Sequence, residues 1–499
     1  MRRIRRRLSF LLLLAMAQTM ATAQDAFNSS RNNVGGSNTS AFNQNRANNF
    51  NDYRQKLNAE YVSKTREKWK DFNAFRGLTL PDKDEKPVSP IKMSDEDALR
   101  DKQNNQINID GVLTPIRQQG TPQPIAPVKE MPEDNAQYLI FSYLGTSFKV
   151  RKPQNGSFKL TGVEENAVAD AWDKLCDSRY NNLIIDCMKL RSSYQLCDWA
   201  YLMMLKALGD SYCGVNTNEA ILLMAYIFSQ SGYKIRLGQS NGKLEMLYAS
   251  QHNVYNTPYY SCDGDKFFAM SKNASSIKIN AAKYPKERSL SLWVNQSPQV
   301  SFSGSQARTL TSKRYPEMTV QVNVNTNLLA FFDSYPTSEV GGNFMTRWAM
   351  YANTAICKEA QNTLYPQLRQ FIDGRSQLDA VERLLNWVQT AFVYEYDDKV
   401  WGSDRAFFPD ETLYYPYCDC EDRSILFTRL VRDLLGLQCI LIYYPGHLAS
   451  AVRFTDSVNG DYIMVNGSKY VVCDPTYIGA SVGHTMPNMN NASAKVIVL

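Results

Sequence analysis

No stretch of this chain constrains its fold more than residues 418–480. Asp419-Cys420-Glu421-Asp422-Arg423-Ser424 opens an apolar run from Ile425 to Leu435, which reads as a helix stopped by Gly436. Leu437 to Tyr444 reads as a strand, and His447 heads a second, Leu448 to Phe454. A turn at Asn459-Gly460 follows. Tyr470 to Cys473 is a further strand, with Asp474-Pro475-Thr476 at its end. One helix followed by consecutive strands predicts an α+β unit.

The polar residues in that frame have a chemical logic. A Cys at a helix N-terminus meets the positive end of the helix dipole and free backbone N–H groups, which stabilise a thiolate. A His on a neighbouring strand can take the thiol proton, and a carboxylate on the next can hold the imidazole tautomer. Cys420, His447 and Asp474 are therefore the candidate nucleophile, base and orienting group. The competing reading is that a cysteine of an exported protein is structural, as is common. Glu421 and Asp422 read as complements to the helix N-terminus, and they oppose a thiolate. An oxyanion hole would use the Cys420 N–H plus one donor from among Tyr417, Trp401 and Gln389. His252 and His484 have no comparable context, and His484 reads as a loop residue.

Taken together, these residues resemble the transglutaminase-like superfamily, a papain-like α+β fold of cysteine-nucleophile proteins with exported bacterial members. Its pattern is Gly-x-Cys followed by acidic residues, then a His opening a strand, then Asp-Pro-Thr. The likeness runs from roughly residue 375 to 485 and carries the roles of nucleophile, base and orienting group onto Cys420, His447 and Asp474. Cys418 stands where the family has Gly, and a disulfide from it, even to Cys420, would silence the nucleophile. Cys418, Cys420, His447 and Cys473 are a conceivable zinc set, but paired Cys-x2-Cys spacing is missing and no metal is expected. No Asp-x-Asp-x-Asp-Gly loop suggests calcium, and no cofactor is expected.

The rest of the chain divides by composition. Residues 1–23 read as a signal peptide, with five arginines, the apolar run Leu8 to Ala17 and a small-x-small end at Ala21-Thr22-Ala23. Without those arginines the formal charge of +6 falls to near +1, so the charge gives no support to nucleic-acid binding. No later apolar run is long enough for a transmembrane anchor. The expected location is periplasmic or secreted. Residues 24–135 read as disordered, low-complexity sequence and linker, interrupted by a helix over 52–76 that carries Tyr53, Leu57 and Tyr61, with Trp69, Phe72 and Phe75 as docking groups. Residues 136–271 read as an α+β domain, 272–345 as a β-rich domain, and 346–499 as the transglutaminase-like domain. Ser289-Leu-Ser-Leu-Trp-Val and Met318-Thr-Val-Gln-Val-Asn-Val alternate with period two in the β-rich part.

An internal comparison adds a further expectation. Asn216 set against Cys420 without gaps brings Ala220 onto Ser424, Ile227 onto Val431 and Gly232 onto Gly436. Gly264-Asp-Lys-Phe-Phe then matches Gly467-Ser-Lys-Tyr-Val and sets Ser271 opposite Asp474. One reading is a degenerate transglutaminase-like copy over 136–271. The other is that any apolar helix ending in Gly before a strand looks this way. Function accordingly has two readings. The first is an exported thiol peptidase or deamidase that forms a thioester with a peptide or protein substrate, cell-wall peptide included. The second is a non-catalytic binding or scaffold protein of the cell envelope. Oligomeric state is not legible in the sequence.

Overall fold

The computed structural model describes residues 38–71, 76–80, 87–116, 120, 122–132, 135–271, 276–294 and 296–499, with side chains from residue 52. The expected signal peptide, and Phe72 and Phe75, lie outside the described residues. The chain is α+β. Helices α1 (Asn38–Thr65), α2 (Glu165–Leu175), α3 (Asn181–Ser193), α4 (Asp198–Cys213), α5 (Asn218–Gln230), α6 (Lys358–Ile372), α7 (Gln377–Ala391) and α8 (Cys420–Leu435) pack around two sheets. Among the described residues no helix is long and apolar enough to cross a membrane.

The strands that matter here are β1 (Lys70–Asp71), β2 (Arg76–Leu78), β3 (Gly111–Leu113), β4 (Ile235–Ser240), β5 (Lys243–Ala249), β6 (Pro258–Cys262), β7 (Asp265–Ala269) and β8 (Lys278–Ile279). They are followed by β9 (Gln438–Tyr444), β10 (His447–Arg453), β11 (Tyr462–Val465), β12 (Ser468–Cys473) and β13 (Lys495–Val498). The first sheet runs β1-β8-β4-β5-β7-β6-β2 and the second β11-β12-β10-β9-β13-β3. Substituting β9 to β13 for β4 to β8 turns the middle of one order into the other. All of those pairings are antiparallel in both sheets.

The register agrees as well. Ser240 faces Lys243 across Asn241-Gly242, and Tyr444 faces His447 across Pro445-Gly446. The local chemistry differs. Asn241 and Gly242 both take positive φ, the primed hairpin geometry. Pro445-Gly446 has its positive φ at Gly446, as a type II turn requires. Helix α5 lies on β5 as α8 lies on β9 and β10. One apolar cluster runs from Leu57 to Ile497 through both halves, so the two sheets share a core.

Three expectations change. Helix α1 begins at Asn38, inside the stretch expected to lack structure. Its C-terminal half is docked by buried Leu57, Tyr61 and Val62, Tyr61 stacks on Trp172 and Tyr284, and Arg54 bonds Gln230 and Tyr226. Once that half is nucleated, extending it towards the N-terminus costs little. The expected linker 77–135 is docked rather than free. β2 and β3 close one edge of each sheet, and the Ile125 N–H reaches the Gln230 carbonyl. Pro and charge suppress regular elements there, but they leave backbone groups free to cover exposed edges.

Residues 272–345 build only one two-stranded sheet of their own among the described residues, rather than a β-rich domain. β8 joins the first sheet, Arg308–Thr311 and Thr319–Val322 pair as a separate hairpin, and Thr326–Asp333 is a helix. Ser289 to Val294 is extended chain held by isolated bridges at Arg288 and Leu290, with Leu290, Leu292 and Val294 in the core. Ser291 and Trp293 are buried as well, so the period-two alternation of this segment does not mark a half-exposed strand.

Candidate active site

Asp419 is the N-cap of α8. Its side chain accepts the Glu421 N–H at 3.1 Å, while the Asp422 carboxylate accepts the Asp419 N–H at 3.2 Å, a capping box. Asp422 also accepts the Phe407 N–H at 2.8 Å. Cys420 is the first helical residue, so its own N–H has no intrahelical acceptor. The Leu448 backbone favours the ionised form of its sulfur. One turn on, Ser424 Oγ donates to the Leu448 carbonyl at 2.8 Å, so α8 holds β10 at that residue.

His447 opens β10, and its Nε2 lies 2.8 Å from Asp474 Oδ2. Both side chains are out of contact with solvent. Asp474 is oriented in turn, because its Oδ1 accepts the N–H groups of Thr476 and Tyr477 at 2.8 and 3.1 Å. Gln389 on α7 holds the loop behind it. Its Nε2 faces the carbonyls of Asp474, Tyr477 and Ala480 at 3.0, 2.9 and 2.9 Å, and its Oε1 accepts the Gly479 N–H. With Nε2 committed to the carboxylate, His447 Nδ1 is buried without a hydrogen-bond partner. Cys420 and His447 line one small cavity of about 40 Å³, together with Trp348, Glu421, Gly446 and Pro87.

The structure thus pairs His447 with Asp474 and sets His447 and Cys420 on one cavity, with no hydrogen bond between those two. It brings none of the three oxyanion donors to the cavity wall. Gln389 spends its amide on the Asp474 loop, and Trp401 packs on Phe407 and Tyr415. Tyr417 is largely exposed. Cys418 is a buried free thiol that accepts from Arg423 Nε at 3.4 Å, and all ten cysteines are free. Larger cavities of about 570 and 660 Å³ lie in the first half of the chain, beside Arg191 and Tyr212. Neither contains a nucleophile–base–carboxylate set, so the convergence of groups, rather than volume, selects the smaller site.

No family model matches this chain, and neither does any curated protein or solved structure.

Beneath Cys420 is a layer of acids that sequence reasoning missed. Glu421 does not cap the helix. Its Oε2 accepts Trp348 Nε1 at 2.6 Å, Arg347 stands 3.6 Å away, and its Oε1 is buried with no partner. Arg347 also pairs with Asp404 at 2.8 Å. Oxygens of Asp397, Asp404 and Glu421, and of Asp419, Glu421 and Asp422, lie within 4.8 Å of one another and could hold a divalent ion. The cysteines and histidine of the conceivable zinc set form no such group among the described residues.

Burial, with mutual repulsion, pushes Asp419 up to about 6 and Asp397 up to about 8, and holds Glu421 and Asp422 well above the usual carboxylate range. Burial, then Asp419 and Glu421, likewise hold the Cys420 thiol well above its ordinary value. The thiol is therefore neutral in this closed arrangement. No spacing rule links Trp348 or Asp404 to Cys420, so sequence alone could not have found these neighbours.

Across the first sheet the matching positions are chemically different. Lys243 stands at the register position of His447. The ungapped alignment pairs Asn216 with Cys420, but it is Asn218 that begins the helix, and its Oδ1 accepts the Leu244 N–H at 3.0 Å. In the second half the backbone at the equivalent position, Leu448, favours the ionised form of the Cys420 sulfur.

Proposed function

We propose that this chain is a transglutaminase-like cysteine enzyme acting on amide bonds, with Cys420 as nucleophile, His447 as base and Asp474 as orienting group. One observation carries the reading. His447 gives one ring nitrogen to a buried, backbone-anchored carboxylate and keeps the other, unpartnered, beside the cavity that Cys420 lines. That tautomer leaves Nδ1 able to accept a proton. In the reaction the thiol proton passes to Nδ1 and the sulfur attacks the amide carbonyl. The oxyanion forms towards the Cys420 N–H at the start of α8. The imidazolium then protonates the departing amine, leaving a thioester that water resolves. Hydrolysis makes the enzyme a peptidase or deamidase, and capture by an amine would make it a cross-linking enzyme. Export through the N-terminal leader completes the reading, with the first half as a nucleophile-free copy that supports the second.

A second reading, a cell-envelope binding protein, is favoured by the neutral thiol and by a cavity too small for a substrate. Chloroacetamide labelling at pH 6 to 8, read cysteine by cysteine by mass spectrometry, separates the two. All ten thiols are held above their ordinary value by burial, so an unassisted Cys420 should label no faster than the rest. The enzyme reading expects Cys420 to lead and to lose about tenfold or more in rate in His447→Ala. Equal labelling in both proteins moves the assignment to a binding protein.

A further inference from the structure

Between the two halves, residues 87–93 run as an extended chain over the mouth of the site. Pro87 lines the cavity beside Cys420. The Val88 N–H donates to the carbonyl of Gly446, the residue before His447, at 2.9 Å. Further along, the strap pairs in parallel with the loop that follows Asp474. The Ile478 N–H donates to the Ile91 carbonyl at 2.9 Å, and the Met93 N–H donates to the Ile478 carbonyl at 2.8 Å. Ser89 Oγ lies 2.7 Å from Tyr396 Oη. Val88, Ile91 and Met93 pack into a small apolar cluster with Tyr477, Ala480 and Met486.

The other docked parts of the N-terminal segment, β1, β2 and β3, cover sheet edges. Residues 87–93 pair instead with the two loops that carry the base and its carboxylate. Their contacts are mainly backbone hydrogen bonds plus the apolar side chains of Val88, Ile91 and Met93, as when an extended peptide is recognised by strand addition. Pro87 and Pro90 suit an extended chain and offer no N–H to satisfy. Pro87 also presents no glutamine carboxamide to the nucleophile. With this strap in place, Cys420 is 6% exposed and His447 2% exposed.

We propose that the groove between the Gly446 turn and the Tyr477–Ile478 loop is the substrate subsite, that it takes an extended peptide with apolar residues spaced as Val88, Ile91 and Met93 are, and that residues 87–93 fill it in cis and hold the site closed. This deepens the enzymatic reading and rests on it. The substrate must displace the strap, so the apparent reactivity of Cys420 is scaled down by the fraction of open molecules.

The test measures cysteine-resolved chloroacetamide labelling of the full chain, of Ile91→Asp and of Val88→Pro, each with and without His447→Ala. Loosening the strap should speed Cys420 labelling by about tenfold or more, with the nine other thiols unchanged. A synthetic peptide Pro87–Met93 added to Ile91→Asp should slow it again, and a scrambled peptide should not. Cys420 labelling at the parent rate in both strap variants overturns the strap. A rise at every thiol in both variants, with no rescue by the peptide, marks general unfolding and overturns it too. Dependence on His447 that survives while the strap variants have no effect removes only the strap. Loss of that dependence in every background removes the enzymatic reading itself.

Discussion

Asp474 is where a single atom change separates chemistry from folding. Its Oδ1 anchors two backbone N–H groups and its Oδ2 meets the imidazole. In Asp474→Asn the amide oxygen can still take the backbone N–H groups, but the amide nitrogen turned towards His447 is a donor. The imidazole must then accept at Nε2 and carry its proton on Nδ1, where it cannot take the thiol proton. We expect this variant to melt within a few degrees of the parent while its His447-dependent labelling of Cys420 falls about a hundredfold. Labelling unchanged alongside an unchanged melting temperature would remove Asp474 from the triad. The three candidate residues were legible because each sits at the end of an element that periodicity reveals. Trp348, Asp404 and Arg347 were not, because nothing local marks a side chain that meets its partner only after the chain has folded.

Among the elements, α7 shows how a helix remote from the chemistry positions it. Ser376 caps it by accepting the Asp379 N–H, and its buried face carries Val381, Leu384, Leu385 and Val388. Helical spacing of Leu378, Val381, Leu384, Leu385 and Val388 over residues 377–392 predicts an apolar face, of which Leu378 alone is exposed. What was not evident is that Gln389, on the same helix, reaches three carbonyls of the 474–480 loop. Gln389→Ala leaves those buried acceptors without their donor. It should cost about 2–4 kcal/mol in urea unfolding and loosen Asp474. A loss below about 0.5 kcal/mol would show that water replaces the side chain without penalty. The strand readings failed in a different way at Ser289 to Val294, where Leu290 to Val294 are all buried and the ladder is absent. Hydrogen bonding to a neighbour is a property of two segments, and one segment's pattern cannot contain it.

At the scale of the whole molecule, the two halves share a core, and the acid layer beneath Cys420 makes stability depend on pH. Asp397 is pushed up to about 8 by burial and by Asp419, so the fold favours its protonated form. Its contribution is fully present below the ordinary carboxylate value near 4 and is lost as pH rises through about 8. Asp397→Asn stays neutral and keeps an oxygen for the Arg405 N–H, now at 2.7 Å. Thermal melts of parent and variant should therefore diverge with pH. The variant should gain several degrees more over the parent at pH 9 than at pH 5. An equal gain at both values would show that the carboxylate is ionised at no cost to the fold.

Local chemistry in the sequence determined that Cys420 would start a helix and that His447 and Asp474 would sit at strand ends. Capping residues, turn glycines and apolar periodicity act over a few residues, so they can be read without a partner. Only the tertiary structure decided that both sheets share one strand order. It also decided that Asn218 rather than Asn216 takes the nucleophile's place in the first half. The burial and the neighbouring acids that raise the Cys420 thiol, and the Pro87–Met93 strap across the site, were likewise visible only in the fold. Those outcomes depend on which distant groups are packed together and stripped of water, and sequence separation of up to several hundred residues carries no local signal of that.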